Sequence, residues 1–558
     1  MRTSGRSSIL IAVVLLVLVQ PLAAQTQRDT TPGYPIRDAA VVASCRSCHA
    51  QDSTGRMTRI SYLRKTPEGW ETSIRRMVTL NGAKIEPEAA RNVVKYLSNQ
   101  QGLAPEEARL GRFDAERRMI DYAYAGDRGT EDTCRACHSM GRVISQRRTR
   151  DEWGLLVAMH RGFYPGVDNQ GFRRGGPPGP GGDATHPMDA AIRHLSTAFP
   201  LTTPDWTAWS ATMRPPRIEG NWLISGNEPG KGAFFGTLTV ARAGQGDDEF
   251  TTNATYTYVD GGVRVKRDGR AVVYTGFQWR GSSNESGKQD KWREVMMVEP
   301  GWSSMSGRWF TGEYDEFGMD VTLTRDNAAV ALAGASPRGL TRGASGQEIK
   351  LYGANLPAGA AAGMIDFGPG VRVERVVNAA PDVLVLSVSV DANAVYGARD
   401  LFVSGASLRK AVVVYDTVSR IKVTPLAGMA RIGGIVFPKQ FQQYEVIAMH
   451  NGVDGRPDTP DDLELGPVPV TWQLEEYGAT YDDDDLKFVG QLDQKGFFTP
   501  ADDGPNPKRR GNRNNIGDVW VVATHTPTRA GARPLRGRAH LVVTVPLYMR
   551  WEPWRIER

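Results

Sequence analysis

The apolar positions of this chain change period along its length. In the first part they recur at helical spacing, as in Ala89, Ala90, Val93, Val94 and Leu97. The stretches TPEGWETSIRRMV (66–78) and TRDEWGLLVAMHRG (149–162) also read as helices. Thr66-Pro67-Glu68 offers an N-cap, a proline at the first helical position and an early acid. Thr149 and Glu152 have the spacing of a capping box. From about Asp205 the pattern becomes alternating. GTLTVARAG, FTTNATYTYVDGGVRVKRDGRAVVYTGFQW and KWREVMMVEPGWSSMSGRWFTG are rich in β-branched and aromatic residues, with Asp260-Gly261 and Asp268-Gly269 as turn signals. They predict an antiparallel β-barrel over 205–332. Short, evenly spaced strands then follow: EIKLYGANL, VRVERVV, VLVLSVSV, ARDLFVSG and KAVVVYD over 336–416, and GDVWVVATH and AHLVVTVPLYM near the end of 420–550. Each set predicts an immunoglobulin-like β-sandwich, with seams near 331–337 and 417–420. The expected class is multidomain α plus β: a helical part over 25–200, then the barrel and two sandwiches.

The first residues, MRTSGRSSILIAVVLLVLVQPLAAQ, do not belong to that scheme. Arg2 and Arg6 precede an apolar run from Ile9 to Val19, too short for a bilayer and suited to a signal peptide over 1–24. Cleavage is expected near Ala24, although Leu22 is bulkier than usual three positions before a cut; an N-terminal anchor is the alternative. No later run approaches the length of a membrane span, so the mature chain is expected to be exported and soluble.

At 558 residues the chain exceeds what one core supports, and 40% hydrophobic with 23% charged residues describes ordinary globular domains. The net charge of +6 is scattered, with no basic stripe interleaved with aromatics, which argues against a nucleic-acid partner.

The cysteines change the picture. All 4 lie in two pentads, CRSCH at 45–49 and CRACH at 134–138, so a disulfide framework does not stabilise this chain. Cys-x-x-Cys-His is the attachment signature of c-type haem: two thiols form thioethers to one porphyrin edge, and the adjacent histidine reaches the iron. A zinc ribbon separates its pairs by about 15–20 residues, whereas Cys48 and Cys134 are much further apart. A thioredoxin-like dithiol needs a βαβ setting, and these surroundings read as helical. Two covalent haem c groups are therefore expected, on Cys45, Cys48 and His49 and on Cys134, Cys137 and His138.

The sixth iron ligands follow from an internal repeat. With Trp70 aligned on Trp153, Met77 falls opposite His160, and VVKYLSN (93–99) matches AIRHLST (191–197). The halves are 25–105 and 106–200, with His49 and Met77 expected on the first iron and His138 and His160 on the second. Met57, Met140, Met159, His186 and His194 are the alternatives. His194, aligned with Tyr96, reads as a packing residue. Trp70 and Trp153 are expected to pack against the porphyrin or the helix core. The Gly/Pro-rich stretch 163–189 has no counterpart in the first half; it covers the second haem, meets a partner or is a mobile surface loop. Two acidic clusters, Asp454, Asp458, Asp461 and Asp462, and Asp482 to Asp485, read as surface loops, because the first departs from EF-hand spacing, with calcium binding as the alternative. No phosphate loop, nucleophile elbow or paired zinc histidines stand out, and the β-part shows no catalytic constellation.

The layout resembles the α subunit of quinohemoprotein amine dehydrogenase. CRSCH, CRACH, LLVAMHRGFYPGVDNQGFR, PLTTPDWTAW and GPNPKRRGNRNNIGDVWVVA carry the resemblance, which covers nearly all of the mature chain. It implies a periplasmic heterotrimer that oxidatively deaminates primary amines. A small subunit bears a cross-linked cysteine-tryptophan quinone, and another subunit forms a β-propeller. The dihaem cytochrome c subunit passes electrons to a soluble acceptor such as a small copper protein or cytochrome c. The residues alone also allow a dihaem peroxidase or a stand-alone dihaem electron-transfer protein.

Overall fold

The structure is a computed structural model that describes residues 29–111, 124, 126–135, 138–164, 185–244, 246–478, 484–528 and 531–546. The signal segment, Cys137, residues 165–184 of the Gly/Pro-rich stretch, and Asp482 and Asp483 lie outside the described residues.

In the first half, α1 (Ala39–Cys45), β1 (Leu63–Lys65), α2 (Pro67–Asn81) and α3 (Pro87–Gln100) follow one another. A short α4 (Pro105–Arg109) leads to the second half, which has α5 (Arg128–Cys134), α6 (Gly141–Ile144), β2 (Gln146–Arg148), α7 (Arg150–Phe163) and α8 (Pro187–Ala198). The apolar face read on 89–97 is the one that α3 buries, through Ala90, Val93, Val94 and Leu97. Both expected N-caps form: Thr66 Oγ1 accepts from Gly69 N and Thr149 Oγ1 from Glu152 N, each at 3.3 Å.

The halves are joined by an antiparallel ribbon. Leu63 lies opposite Arg148, Arg64 opposite Arg147 and Lys65 opposite Gln146. In the alignment on the tryptophans, Arg64 and Arg147 are counterparts, so each sits across the ribbon from its own equivalent, and a local two-fold axis passes between them. The same relation continues outward. Thr66 N donates to Ser145 O at 3.4 Å and Thr149 N to Tyr62 O at 3.3 Å. Lys65 N donates to Gln101 O at 3.0 Å and Arg148 N to Phe199 O at 3.3 Å. Trp70 Nε1 donates to Gln101 O at 3.2 Å and Trp153 Nε1 to Phe199 O at 3.4 Å. The tryptophans thus serve the helix core, each tying its helix to the end of the closing helix.

The capping box at Thr149 is only half made. The Thr149 N–H is taken by Tyr62 O, and the Glu152 carboxylate turns instead to Arg59 and Arg148. The half-exposed Arg59 and the buried Arg148 together outcompete one backbone N–H for a carboxylate.

On the two-fold itself lies a buried triad. Glu107 of α4 takes Arg64 Nη1 at 2.8 Å and Nη2 at 2.9 Å, and Arg147 Nε at 3.1 Å. Side-chain exposure is 0% for Arg64, 6% for Arg147 and 3% for Glu107, so this is an interior ion group in which two guanidinium groups share one carboxylate.

Eight antiparallel strands close the next domain: β3 (Gly220–Glu228), β4 (Gly232–Arg242), β5 (Glu249–Tyr258), β6 (Arg264–Tyr274), β7 (Gln278–Glu285), β8 (Lys291–Val298), β9 (Ser304–Thr311) and β10 (Phe317–Arg325). The barrel shuts where β10 pairs with β3, Val321 opposite Gly226. Large side chains such as Trp222, Phe234, Phe250, Trp279 and Trp309 fill the interior. Asp260-Gly261 is a turn between β5 and β6, as expected, with Gly261 at φ +73°. Asp268-Gly269 is not a turn. It lies inside β6, paired with β5 and β7, where a Cβ on Gly269 would meet Thr252 Oγ1 at 2.5 Å. Glycine there admits close strand neighbours rather than a reversal.

The helical domain is seated on this barrel. Leu103 and Ala108, either side of the triad carboxylate, belong to the barrel's own apolar core. Asn99 Oδ1 accepts from Thr275 N at 2.7 Å, and Lys95 pairs with Asp248 and Glu249, both at 2.8 Å. Gly102 marks the tightest approach: a Cβ there would lie 2.2 Å from Ser98 O and 2.3 Å from Thr275 Cγ2. Gly102→Ala is expected to cost about 1–3 kcal/mol by overpacking this seam. A thermal-unfolding midpoint unchanged by the substitution would contradict the seam as described.

Beyond the barrel, two four-stranded sheets enclose a core of Leu340, Ile349, Leu351, Leu386, Val388 and Val412. The last domain packs three- and four-stranded sheets around Val423, Tyr444, Trp472, Val521 and Leu541.

Candidate haem sites

The pentad histidines and their proposed partners lie in the helical domain. His138 follows α5, and His160 stands in the last turn of α7. Their rings face each other with centres 6.3 Å apart and planes at 49°. Metal–imidazole bonds of about 2.0 Å, with about 1.1 Å from nitrogen to ring centre, place two trans imidazoles on one metal roughly 6 Å apart. The observed separation of 6.3 Å is close to that value.

Their hydrogen bonds agree. His138 Nδ1 meets Ser139 O at 2.9 Å and His160 Nδ1 meets Leu156 O at 2.8 Å. A carbonyl partner requires an N–H at Nδ1, which leaves the Nε2 lone pair for a metal. Burial lowers the pKa of both rings, holding them in the neutral form that a metal ligand needs.

The first pentad repeats the device. A tight turn brings Cys48 N and His49 N onto Cys45 O at 3.2 and 3.0 Å. His49 Nδ1 then meets Thr58 O at 2.9 Å, again leaving Nε2. Met77 is half-buried on α2, at the position that His160 holds on α7. Its sulfur lies 4.0 Å from Asn81 Nδ2.

The alternative ligands have other partners. Met57 and Met140 are fully buried in the apolar cores of the two halves. Met159 Sδ receives Arg76 Nη1 at 3.1 Å. His186 caps α8, accepting from Met188 N at 3.2 Å. His194 shares a short hydrogen bond with the Tyr124 hydroxyl, so its packing role includes a polar contact. Its counterpart Tyr96 holds Arg37 N at 3.0 Å.

Burial pushes the Cys45 thiol up to about 11, with Cys48 adding to it, and burial pushes the Cys134 thiol up to about 11. A redox-active dithiol shows the opposite, a lowered pKa in electropositive surroundings. The thiols suit thioether formation, and the free Nε2 atoms suit iron. Cys137 lies outside the described residues.

Among the described residues, the aspartates of both acidic clusters are engaged within the protein. Asp462 and Asp458 pair with Arg420, and Asp461 accepts from Val453 N and Asp454 N. Asp484 and Asp485 pair with Arg509. The sequence reading missed the Arg64–Glu107–Arg147 triad. Its signal was present as the doubled cations LRK and QRR just before the aligned threonines.

Comparison with protein families finds four matching profiles. "Quinohemoprotein amine dehydrogenase A, alpha subunit, haem binding" covers 37–176. Alpha subunit domain II covers 215–326, domain III 329–416 and domain IV 421–555. This chain belongs to the quinohemoprotein amine dehydrogenase α-subunit family. As such an α subunit it is the haem-bearing part of a multi-subunit oxidoreductase; its haem is covalently bound and the quinone lies on another subunit. The expected class also stands: a haem-binding domain, then an eight-stranded antiparallel barrel and further β-sheet domains.

No curated protein matches the chain. Among solved structures, a redesigned β-barrel is 14% identical, covering 20% of this chain and 92% of its own at a TM-score of 0.17. Mouse cadherin-23 EC22-24 is 14% identical, covering 43% and 74% at 0.15. No helix among the described residues is long and apolar enough to cross a membrane.

Proposed function

We propose that this α subunit holds one haem iron between His49 and Met77 and the other between His138 and His160. Cys45 and Cys48, and Cys134 and Cys137, attach the two porphyrins. The facing rings of His138 and His160, 6.3 Å apart with both Nδ1 atoms engaged, carry this reading. Haem supplies one-electron transfer when bound. The chain's own residues fix the ligands: backbone carbonyls of Thr58, Ser139 and Leu156 orient the imidazoles, and the cores around Trp70 and Trp153 exclude water. His160 takes the sixth position that a peroxidase would leave open.

In the assembled enzyme, the chain takes electrons from a quinone on a small partner subunit during oxidative deamination of primary amines. It passes them to a soluble acceptor, a small copper protein or cytochrome c. A β-propeller subunit completes the heterotrimer, and the N-terminal sequence, read as an export signal, supports a periplasmic location. Affinity purification of the full-length chain from its native host tests this. A small quinone-staining subunit is expected to co-purify in a fixed ratio. A chain that loads two haems yet is recovered alone would favour a stand-alone electron-transfer protein.

A further inference from the structure

Beside the His138–His160 pair lies a concentration of positive charge that ligand assignment does not explain. Lys65 and Arg148, counterparts under the two-fold, are 4% and 3% exposed. Each lies over its own tryptophan, Lys65 Nζ 5.6 Å from the Trp70 ring and Arg148 Cζ 5.7 Å from that of Trp153. Arg59 and Arg142 are a second pair of counterparts. Arg59 follows Thr58, whose carbonyl holds His49, and Arg142 stands one turn beyond His138. Arg76, next to Met77, reaches across the two-fold to the sulfur of Met159, its own counterpart.

The cations are close enough to oppose one another. Burial, then Arg148 and Arg76, depress the Lys65 ammonium. Glu152 pairs with Arg59 at 2.9 Å and Arg148 at 3.6 Å. Among the described residues no salt bridge reaches Lys65, Arg76 or Arg142, and the buried Arg76 Nε has no hydrogen-bond partner. Buried charge of one sign is costly unless an anion joins it.

Near the pentad, Cys134 packs with Met140, Val143, Ile144, Leu195 and Phe199. A haem c carries thioether bonds on one edge and two propionate carboxylates, which would supply the missing anions, on another. We propose that Arg76, Lys65 and Arg148, with Arg59 and Arg142 at the rim, bind the propionate carboxylates of the haem held by His138 and His160. This rests on the haem assignment above. Charge-assisted hydrogen bonds from guanidinium to carboxylate are the chemistry. Net positive charge beside the iron favours the reduced state, so the cluster raises the potential of the bis-histidine haem.

The test uses the holoprotein carrying haem labelled with carbon-13 at the propionate carboxyls. Reduced-minus-oxidised infrared spectra are recorded together with a redox titration. In Arg76→Gln the label-sensitive carboxylate bands should shift, and the reduction equilibrium of the bis-histidine haem should fall about tenfold, or 59 mV for a one-electron couple. Arg76→Lys should restore most of the loss. Arg142→Gln, at an exposed position, should shift the same bands in the same direction without threatening the fold. Label-sensitive bands unmoved in both glutamine variants would overturn the proposal. So would shifts confined to unlabelled bands, which would assign the cluster to a protein carboxylate. Haem content and histidine-ligated spectra, read in the same samples, separate failure of this proposal from failure of the haem assignment.

Discussion

Glu107→Ala is expected to destabilise the protein by about 3–5 kcal/mol, the range for deleting one partner of a buried ion group. The carboxylate receives Arg64, Arg147 and the Thr203 hydroxyl, and accepts from Ala104 N at 2.9 Å. Without it, two interior guanidinium groups face each other across the ribbon with no counter-charge. Urea unfolding of the holoprotein measures the loss; a change below about 1 kcal/mol would show that the triad is solvated in practice.

The same group makes acid stability predictable. Burial alone would raise the Glu107 carboxyl, but the hydrogen bonds and charge of Arg64, then the charge of Arg147, hold it at about 2 against an ordinary 4.5. A carboxyl depressed in the folded state contributes stability that is complete above its unfolded value and is lost as pH falls through its folded value. The loss should therefore run from about pH 4.5 down to about 2, and amount to roughly 3 kcal/mol. Glu107→Gln should remove that part of the acid dependence.

Met77→Ala is expected to abolish the methionine-to-iron charge-transfer band while both haems remain attached. Methionine ligation raises haem potential, so the wild-type protein should titrate with the Met77 haem above the bis-histidine haem, and the variant should lose the higher wave. His160→Met should have the reverse effect, adding a second such band. Survival of the band in Met77→Ala would move the ligand to another methionine. A wild-type titration with one potential, or the opposite order, would remove the asymmetry between the sites. The charge cluster around Arg76 acts against that asymmetry, so the gap should widen in Arg76→Gln.

Much of the helical domain was legible because its signals are local. Thr66-Pro67-Glu68 and Thr149 cap the helices that the sequence marks, and the apolar face of 89–97 is buried. The repeat was legible because Trp70 and Trp153 have the same task. What escaped was decided by partners distant in sequence. Glu152 looked like a capping residue until Arg59 claimed its carboxylate across 93 positions. Asp268-Gly269 has turn chemistry, yet strands on both sides needed a residue without a side chain. Glu107 sits in a connector with no motif of its own, and only the pairing of β1 with β2 makes it central.

The connector also has a consequence for how such a domain can be built. The triad places one carboxylate between two equivalent arginines, at a point where strict symmetry would demand two copies of whatever occupies it. Two separate identical half-domains meeting through the same ribbon would bring two acids to one space, or none. Joining the halves in a single polypeptide lets the segment between them occur once and serve both arginines. The covalent link is thus what allows a near-symmetric dimer of haem modules to hold an asymmetric, ion-paired centre.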